Sequence, residues 1–375
     1  MRVIPSILVA TLIAVAIPSF THAQATLQQD TVTIERAQVS TISNERREII
    51  PGTETPQTTQ TVSASILTGE ESGKTVTFKN DYITLKPGQV FYLRHTTNPL
   101  DGRDFYSVSD TYRLNVLAAL AGLFILLIII FGGIQGIRGF ASLLGSIVLI
   151  FYVLVPGILH GYDPTIAATG TALAIIILGS YITHGLNKTT SAAILGMIGT
   201  VLITGIGAYV FVHFANLTGY SSEESIYLSF DMRGNLDLQA LLFGGIMIGL
   251  LGVLYDIAIG QAVAVEELYA AGSGLSRRHV YTRGIRIGRE HIGALVNTLA
   301  IAYVGAALPL LLLVQSSTYD LAVTLNSEIF ATEIVRILIG SIGLILAVPI
   351  TTFIASYLLA KTPHRTDIGS HHHTH

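Results

Sequence analysis

Seven long apolar stretches follow residue 113, at 114–134, 139–159, 165–183, 190–214, 238–264, 291–314 and 334–360. About 20 apolar residues are enough for a helix to cross a bilayer, so each stretch is a candidate transmembrane helix. In lipid a backbone must satisfy its own hydrogen bonds, which restricts such stretches to helices. Only 12% of the chain is charged, against about a quarter in an ordinary soluble domain. Asp163-Pro164 starts the third helix with an N-cap and a proline at the first helical position. Pro156, Pro309 and Pro349 are expected to bend or end the second, sixth and seventh helices.

The chain before these stretches is of two kinds. Residues 1–25 read as a secretory signal: Arg2, an apolar run from Val3 to Ile17, then Ala23-Gln24-Ala25 as a cleavage cue. An uncleaved first helix is the alternative, but the run is short for a span. Residues 26–112 are rich in Thr, Val, Ser and Gln and alternate apolar with polar at 31–34, 61–67, 74–78 and 89–93. That period-2 pattern predicts a small β-domain of four to six strands. Gly69 to Gly73 and Lys86-Pro87-Gly88 mark turns, and Pro51 to Thr61 reads as an exposed loop or linker.

Loop charges set an expected orientation. With the β-domain outside the cell membrane, Arg138, Lys188, Arg277, Arg278, Arg283, Arg286, Arg289, Lys361 and Arg365 fall inside. Arg113, Arg233 and Arg336 fall outside. The excess of basic residues on the cytosolic side predicts a multi-pass plasma-membrane protein with a cytosolic C-terminus. The fold class is therefore a polytopic α-helical membrane protein, with an outer β-domain at 26–112, a seven-helix domain at 113–361 and a tail at 362–375. That tail ends in Gly369-Ser370-His371-His372-His373-Thr374-His375, a run that can chelate metal or arise as a partial tag.

Asp256 is the sharpest chemical feature, a carboxylate inside an apolar stretch bounded by Gln239 and Glu266. Such a charge costs ~2.5–3.5 kcal/mol even on lenient insertion scales, so it needs a partner or a wet cavity. Gly245, Gly249, Gly252, Asp256 and Gly260 form one helical stripe, which predicts that Asp256 points into the bundle. By depth, Asn297, Thr298, Thr351, Thr352 and Thr200 are its candidate partners around an ion or small-solute site, with Ser180 at a similar level. The bland alternative is a protonated Asp256 bonded to Asn297, with each Thr bonding its own helix. Glu267 and Glu290 flank an arginine-rich loop at the cytosolic mouth and are candidates to relay cations or to pair with arginines. Glu333, three residues before Arg336, predicts an ion pair at the outer end of the seventh helix.

Absences narrow the function. With no cysteine, thiolate chemistry and iron–sulfur centres are excluded, and no other cofactor is implied. A net charge of −3 argues against nucleic acid as a partner. No phosphate-binding loop, H-E-x-x-H or G-x-S-x-G is present, and a second membrane aspartate for proteolysis is missing, so an enzyme is not expected. A permease or ion-coupled transporter working through Asp256 is the leading expectation. The rival is a membrane-anchored receptor or assembly factor whose β-domain binds an envelope protein.

Leu251-Gly252-Val253-Leu254-Tyr255-Asp256-Ile257-Ala258, Ile287-Gly288-Arg289-Glu290 and Asn297-Thr298-Leu299 then recur in a known order. They are followed by Ala302-Tyr303-Val304-Gly305, Leu308-Pro309, Glu333-Ile334-Val335-Arg336, Gly340-Ser341-Ile342-Gly343-Leu344 and Val348-Pro349-Ile350-Thr351. In this the chain resembles the YibE/F family of bacterial multi-pass membrane proteins, most clearly from about Gly244 to Thr352. Glu290 stands where that family often has Asp. The resemblance implies a prokaryotic plasma-membrane protein and adds weight to Asp256, Asn297 and Glu333; it brings no activity with it.

Overall fold

A computed structural model describes residues 31–360 apart from 51, 99–101, 273 and 317–318. The expected signal segment at 1–25 and the His-rich tail at 362–375 lie outside the described residues. The chain divides into two units, Met1–Phe124 and Ile125–His375.

The first unit holds five strands: β1 (Thr31–Ile49), β2 (Pro56–Ile66), β3 (Thr75–Asn80), β4 (Val90–Thr97) and β5 (Asp104–Thr111). They form one antiparallel sheet in the order β3-β2-β1-β4-β5. Alternation puts Ala37, Val39, Val62, Ala64, Phe78, Phe91 and Leu93 on a buried face. Register shifts in β1 after Val39 and after Ile42 add twist. The sheet coils until its edge strands approach, so that the Tyr106 hydroxyl on β5 donates to Glu71 (3.0 Å), just before β3. The result is a half-barrel.

One expectation changes here. Pro56 to Thr61 is strand rather than linker, paired with β1 from Ile49↔Pro56 onward. Pro56 is tolerated because β3 joins β2 only from Gln60, so the proline's missing N–H lies beyond that ladder. β5 carries too little alternation to be read in advance; only Val108 on it is buried.

Helix α1 (Leu114–Leu149) starts within the last residues of the first unit and continues through a π-helical turn at Ile150–Leu154 into α2 (Val155–Leu159). Gly133 interrupts α1 with φ 52° and ψ −141°, a combination open essentially to glycine. The chain folds back there: a Cβ on Gly136 would come within 2.7 Å of the Ile128 carbonyl oxygen, eight residues earlier. In a straight helix those residues would stand about 12 Å apart along the axis.

The packed core comes from α3 (Pro164–His184), α4 (Lys188–Phe214), α6 (Leu238–Ala271) and α10 (Glu328–Leu358). Asp163 caps α3 by accepting from the Ile166 N–H (3.0 Å), as its sequence predicts. Between α4 and α6 lies the short α5 (Glu223–Asp231). The arginine-rich stretch is helical, not a loop: α7 (Arg277–Ala306) starts at a Ser276 N-cap and continues into the sixth apolar stretch. Arginine is a good helix former, and Val280, Gly284 and Gly288 give this part of α7 a packing stripe. At its far end α7 meets α8 (Leu308–Ser316) with a bend of 68° before Pro309. The single-turn α9 (Leu321–Leu325) leads to α10.

Five described helices are long and apolar enough to cross a membrane, and six if α7 and α8 form one broken span. Small residues let the core close. A Cβ on Gly196 would overlap Thr351, and one on Gly343 would meet Thr204 at 2.9 Å, which brings α4 and α10 into close contact.

Candidate functional site

The site begins with α6. Asp237 caps it by accepting from the Ala240 N–H (2.9 Å), and thirty-four residues then run without a break to Ala271. Its two faces differ. Leu250, Leu254, Ile257, Ala258 and Gln261 are buried against the core, whereas Gly245, Gly249, Gly252, Asp256 and Gly260 are exposed. The expectation that Asp256 points into the bundle is therefore corrected. A stripe of glycines fits a close neighbour but does not say on which side that neighbour lies.

Space is open over three glycines of this stripe, which runs between α3 and α7. A Cβ added to Gly245, Gly252 or Gly260 would meet nothing within 4 Å. On one side stands α3, where the Tyr255 hydroxyl donates to the Gly179 carbonyl (3.2 Å). On the other stands α7, whose Tyr303 hydroxyl lies 3.2 Å from a Cβ placed on Gly249.

The imidazole of His184, at the end of α3, is an ionisable neighbour of Asp256, with no ion pair formed between them. The His184 ring lies 6.0 Å from that of Tyr255, and its Nδ1 is 3.4 Å from Nε2 of Gln135 on α1. The Ser180 hydroxyl, one turn earlier on α3, is fully buried and has no hydrogen-bond partner among the described residues. The arrangement brings a carboxylate, an imidazole and a phenol to one level of the membrane domain, a combination able to hold and pass a proton or attract a cation.

The other predicted members fall elsewhere. Asn297 and Thr298 are exposed on α7, among Gly293, Ala294 and Ile301 on the side away from buried Leu299. Asn297 makes no hydrogen bond to Asp256, and the Thr298 hydroxyl donates back to the Ala294 carbonyl (2.8 Å). Thr200, Thr351 and Thr352 are buried in the core instead. The Thr200 and Thr352 hydroxyls donate to the Gly196 and Val348 carbonyls of their own helices (2.8 and 2.6 Å), while that of Thr351 has no partner among the described residues. Glu267 and Glu290 are exposed and form no ion pair with an arginine among the described residues. Glu333 pairs with Arg336 at 3.0 Å as its spacing predicts. No group of three His, Asp or Glu among the described residues is placed to hold a metal ion.

Sequence reasoning missed three polar residues. His184 stands one position beyond the third apolar stretch and reads as loop. Gln261 is buried where α6, α7 and α10 meet, and its amide donates to the Gly284 carbonyl and the Thr352 hydroxyl, both at 2.7 Å. An uncharged amide in an apolar run was the available signal. Glu328, at the start of α10, accepts from the Thr218 and Gly219 N–H groups (2.8 Å each) and fastens the loop after α4.

Residues 120–361 match the family model described as YibE/F-like protein, which is more than half of the chain. The chain belongs to the YibE/F-like family. No curated protein and no solved structure matches it. The YibE/F-like match contains Asp256, His184 and Gln261 and begins after the five strands.

That half-barrel has its own charged cluster. His95 lies 2.9 Å from Asp104 and stacks on Tyr106 (ring centroids 4.6 Å). The hydrogen bond from His95 holds the Asp104 carboxyl below the ordinary carboxylate value, aided by one from Thr97. The hydrogen bond from Lys74 does the same for Glu71 and raises the Lys74 ammonium in return.

Proposed function

We propose that this YibE/F-like protein is a permease or ion-coupled transporter of an ion or small solute, with Asp256 as its intramembrane coupling site and His184 as its charge partner. The observation that carries this reading is the placement of Asp256. A carboxylate between Gly252 and Gly260, over which space is open, in the middle of an apolar helix, is costly unless protonation, a bound ion or water meets it. Buried Gln261 on the same helix shows the contrast, because its hydrogen bonds are already made within the protein.

Seven crossings fit this reading. The Gly133 fold-back divides Leu114–Leu159 into two arms, and α7 with α8 supplies one bent span. The plasma membrane, an outer half-barrel and a cytosolic C-terminus follow from the basic residues concentrated on one side. The test is flux. In vesicles reconstituted with the full chain, an imposed gradient of H⁺, Na⁺ or K⁺ is followed by dye or isotope. Wild type dissipates one of these gradients, and Asp256→Asn slows that flux at least tenfold; equal flux in both proteins removes the coupling role.

A second reading rests on the half-barrel surface. Val32, Thr96 and Phe105 lie side by side across β1, β4 and β5, and Val32 and Phe105 are 50% and 56% exposed. Exposed apolar side chains in register suit an envelope-protein contact. Exchanging both for serine abolishes partner capture under this reading and leaves ion flux unchanged.

A further inference from the structure

We propose that the arginine face of α7 is a binding surface for the phosphate headgroups of anionic phospholipids. The argument starts from the helix itself. At 100° per residue, Arg278, Arg283, Arg286 and Arg289 fall within an arc of about 140°, centred opposite the stripe of Val280, Gly284 and Gly288. Val280, Gly284 and Gly288 are buried, and all four arginines are exposed.

The packing fixes that orientation. A Cβ on Gly288 would overlap Val348 and crowd the Gln261 amide, and one on Gly284 would come within 2.7 Å of Thr352. Gln261 also holds the Gly284 carbonyl. The stripe cannot turn away from the core, so the arginines cannot turn towards it. None of the four forms an ion pair among the described residues, and Glu290 is the one acid on their face.

A second observation places this helix segment at headgroup level. The Tyr281 ring lies 6.5 Å from Phe353, Phe353 lies 5.2 Å from Tyr357, and the Arg277 guanidinium stands 4.5 Å over the Tyr357 ring. Tyrosine gathers where hydrocarbon meets water, and this chain has no tryptophan to share that role. Four guanidinium groups without an ion pair among the described residues, beside these rings, match a phosphodiester that sits at the same depth. The surface is independent of the site at Asp256.

The test uses the purified full chain in neutral detergent, titrated with phosphatidylglycerol or phosphatidylcholine and read by native mass spectrometry and thermal stability. Wild type retains phosphatidylglycerol and is stabilised by it, whereas phosphatidylcholine has little effect. Each arginine exchanged for glutamine weakens phosphatidylglycerol binding about fivefold, the equivalent of about 1 kcal/mol per basic residue near a charged surface. Exchanging all four arginines for lysine keeps most of the binding and guards against a glutamine variant that fails to fold. In wild type alone, raising salt must strip the anionic lipid first. Equal retention of both lipids, unchanged binding in the glutamine variants, or full stabilisation by inorganic phosphate alone overturns the proposal.

Discussion

The two faces of α6 carry polar side chains five residues apart in the same apolar helix, and they are treated in opposite ways. Gln261, on the closed face, is buried and bonded to two other helices. Asp256, on the open face, has open space over Gly252 and Gly260 on either side of it and a histidine as an ionisable neighbour. A polar group whose bonds are complete within the fold is scaffold. One left beside open space has spare capacity for a ligand, which is why the functional reading rests on Asp256 and not on the better-bonded amide.

The sharpest way to break this contrast is to fill a closed helix interface and the open face of α6. Gly196→Leu, aimed into Thr351 on the closed side of the bundle, is expected to lower stability by about 3 kcal/mol, at the upper end for overpacking. The same exchange at Gly252 meets open space, so thermal denaturation should show a change within about 0.5 kcal/mol. A large loss at Gly252 would mean that this space is occupied in the folded protein. Gln261→Ala removes two interhelical hydrogen bonds and is expected to cost about 1–2 kcal/mol, measured in the same way.

Much of this contrast could be read from the sequence, but not its direction. The charge at Asp256 and its glycine stripe were visible; the face they occupy depends on which helices pack behind Leu250, Leu254 and Ala258, and residue spacing does not encode that. Counting along the helices put Thr200, Thr351 and Thr352 at the level of Asp256, but it does not say which way they face. Thr351 and Thr352 fit the core because Gly196 and Gly284 on the facing helices leave room there. In the half-barrel, the alternating centres of four strands were legible, whereas the polar second half of β1, from Thr41 to Ile49, is held in place by pairing with β2 and has little pattern of its own. The arginine-rich start of α7 read as loop because its charges hid a three-residue packing stripe.

The smallest predicted effect separates the half-barrel from the helical unit. Asp104 and Glu71 have carboxyls held below their ordinary values, so they stabilise the folded strands above about pH 4.5 and lose that contribution as pH falls through the depressed values. Lys74, raised, adds stability at all lower pH and loses it only in strong alkali. Hydrogen exchange on the full chain should show β4 and β5 loosening first on acidification. Asp104→Asn should remove a modest part of that response.

The central claim is that Asp256 binds an ion or proton on the open face. Thermal stability of wild type and Asp256→Asn, measured across H⁺, Na⁺, K⁺ and Mg²⁺ concentrations, tests it most directly. A ligand that binds only the folded state raises stability as RT ln(1 + [L]/Kd). The account predicts that one ion shifts the wild type and leaves the variant flat. Parallel responses in the two proteins would contradict it and reduce Asp256 to a packing residue.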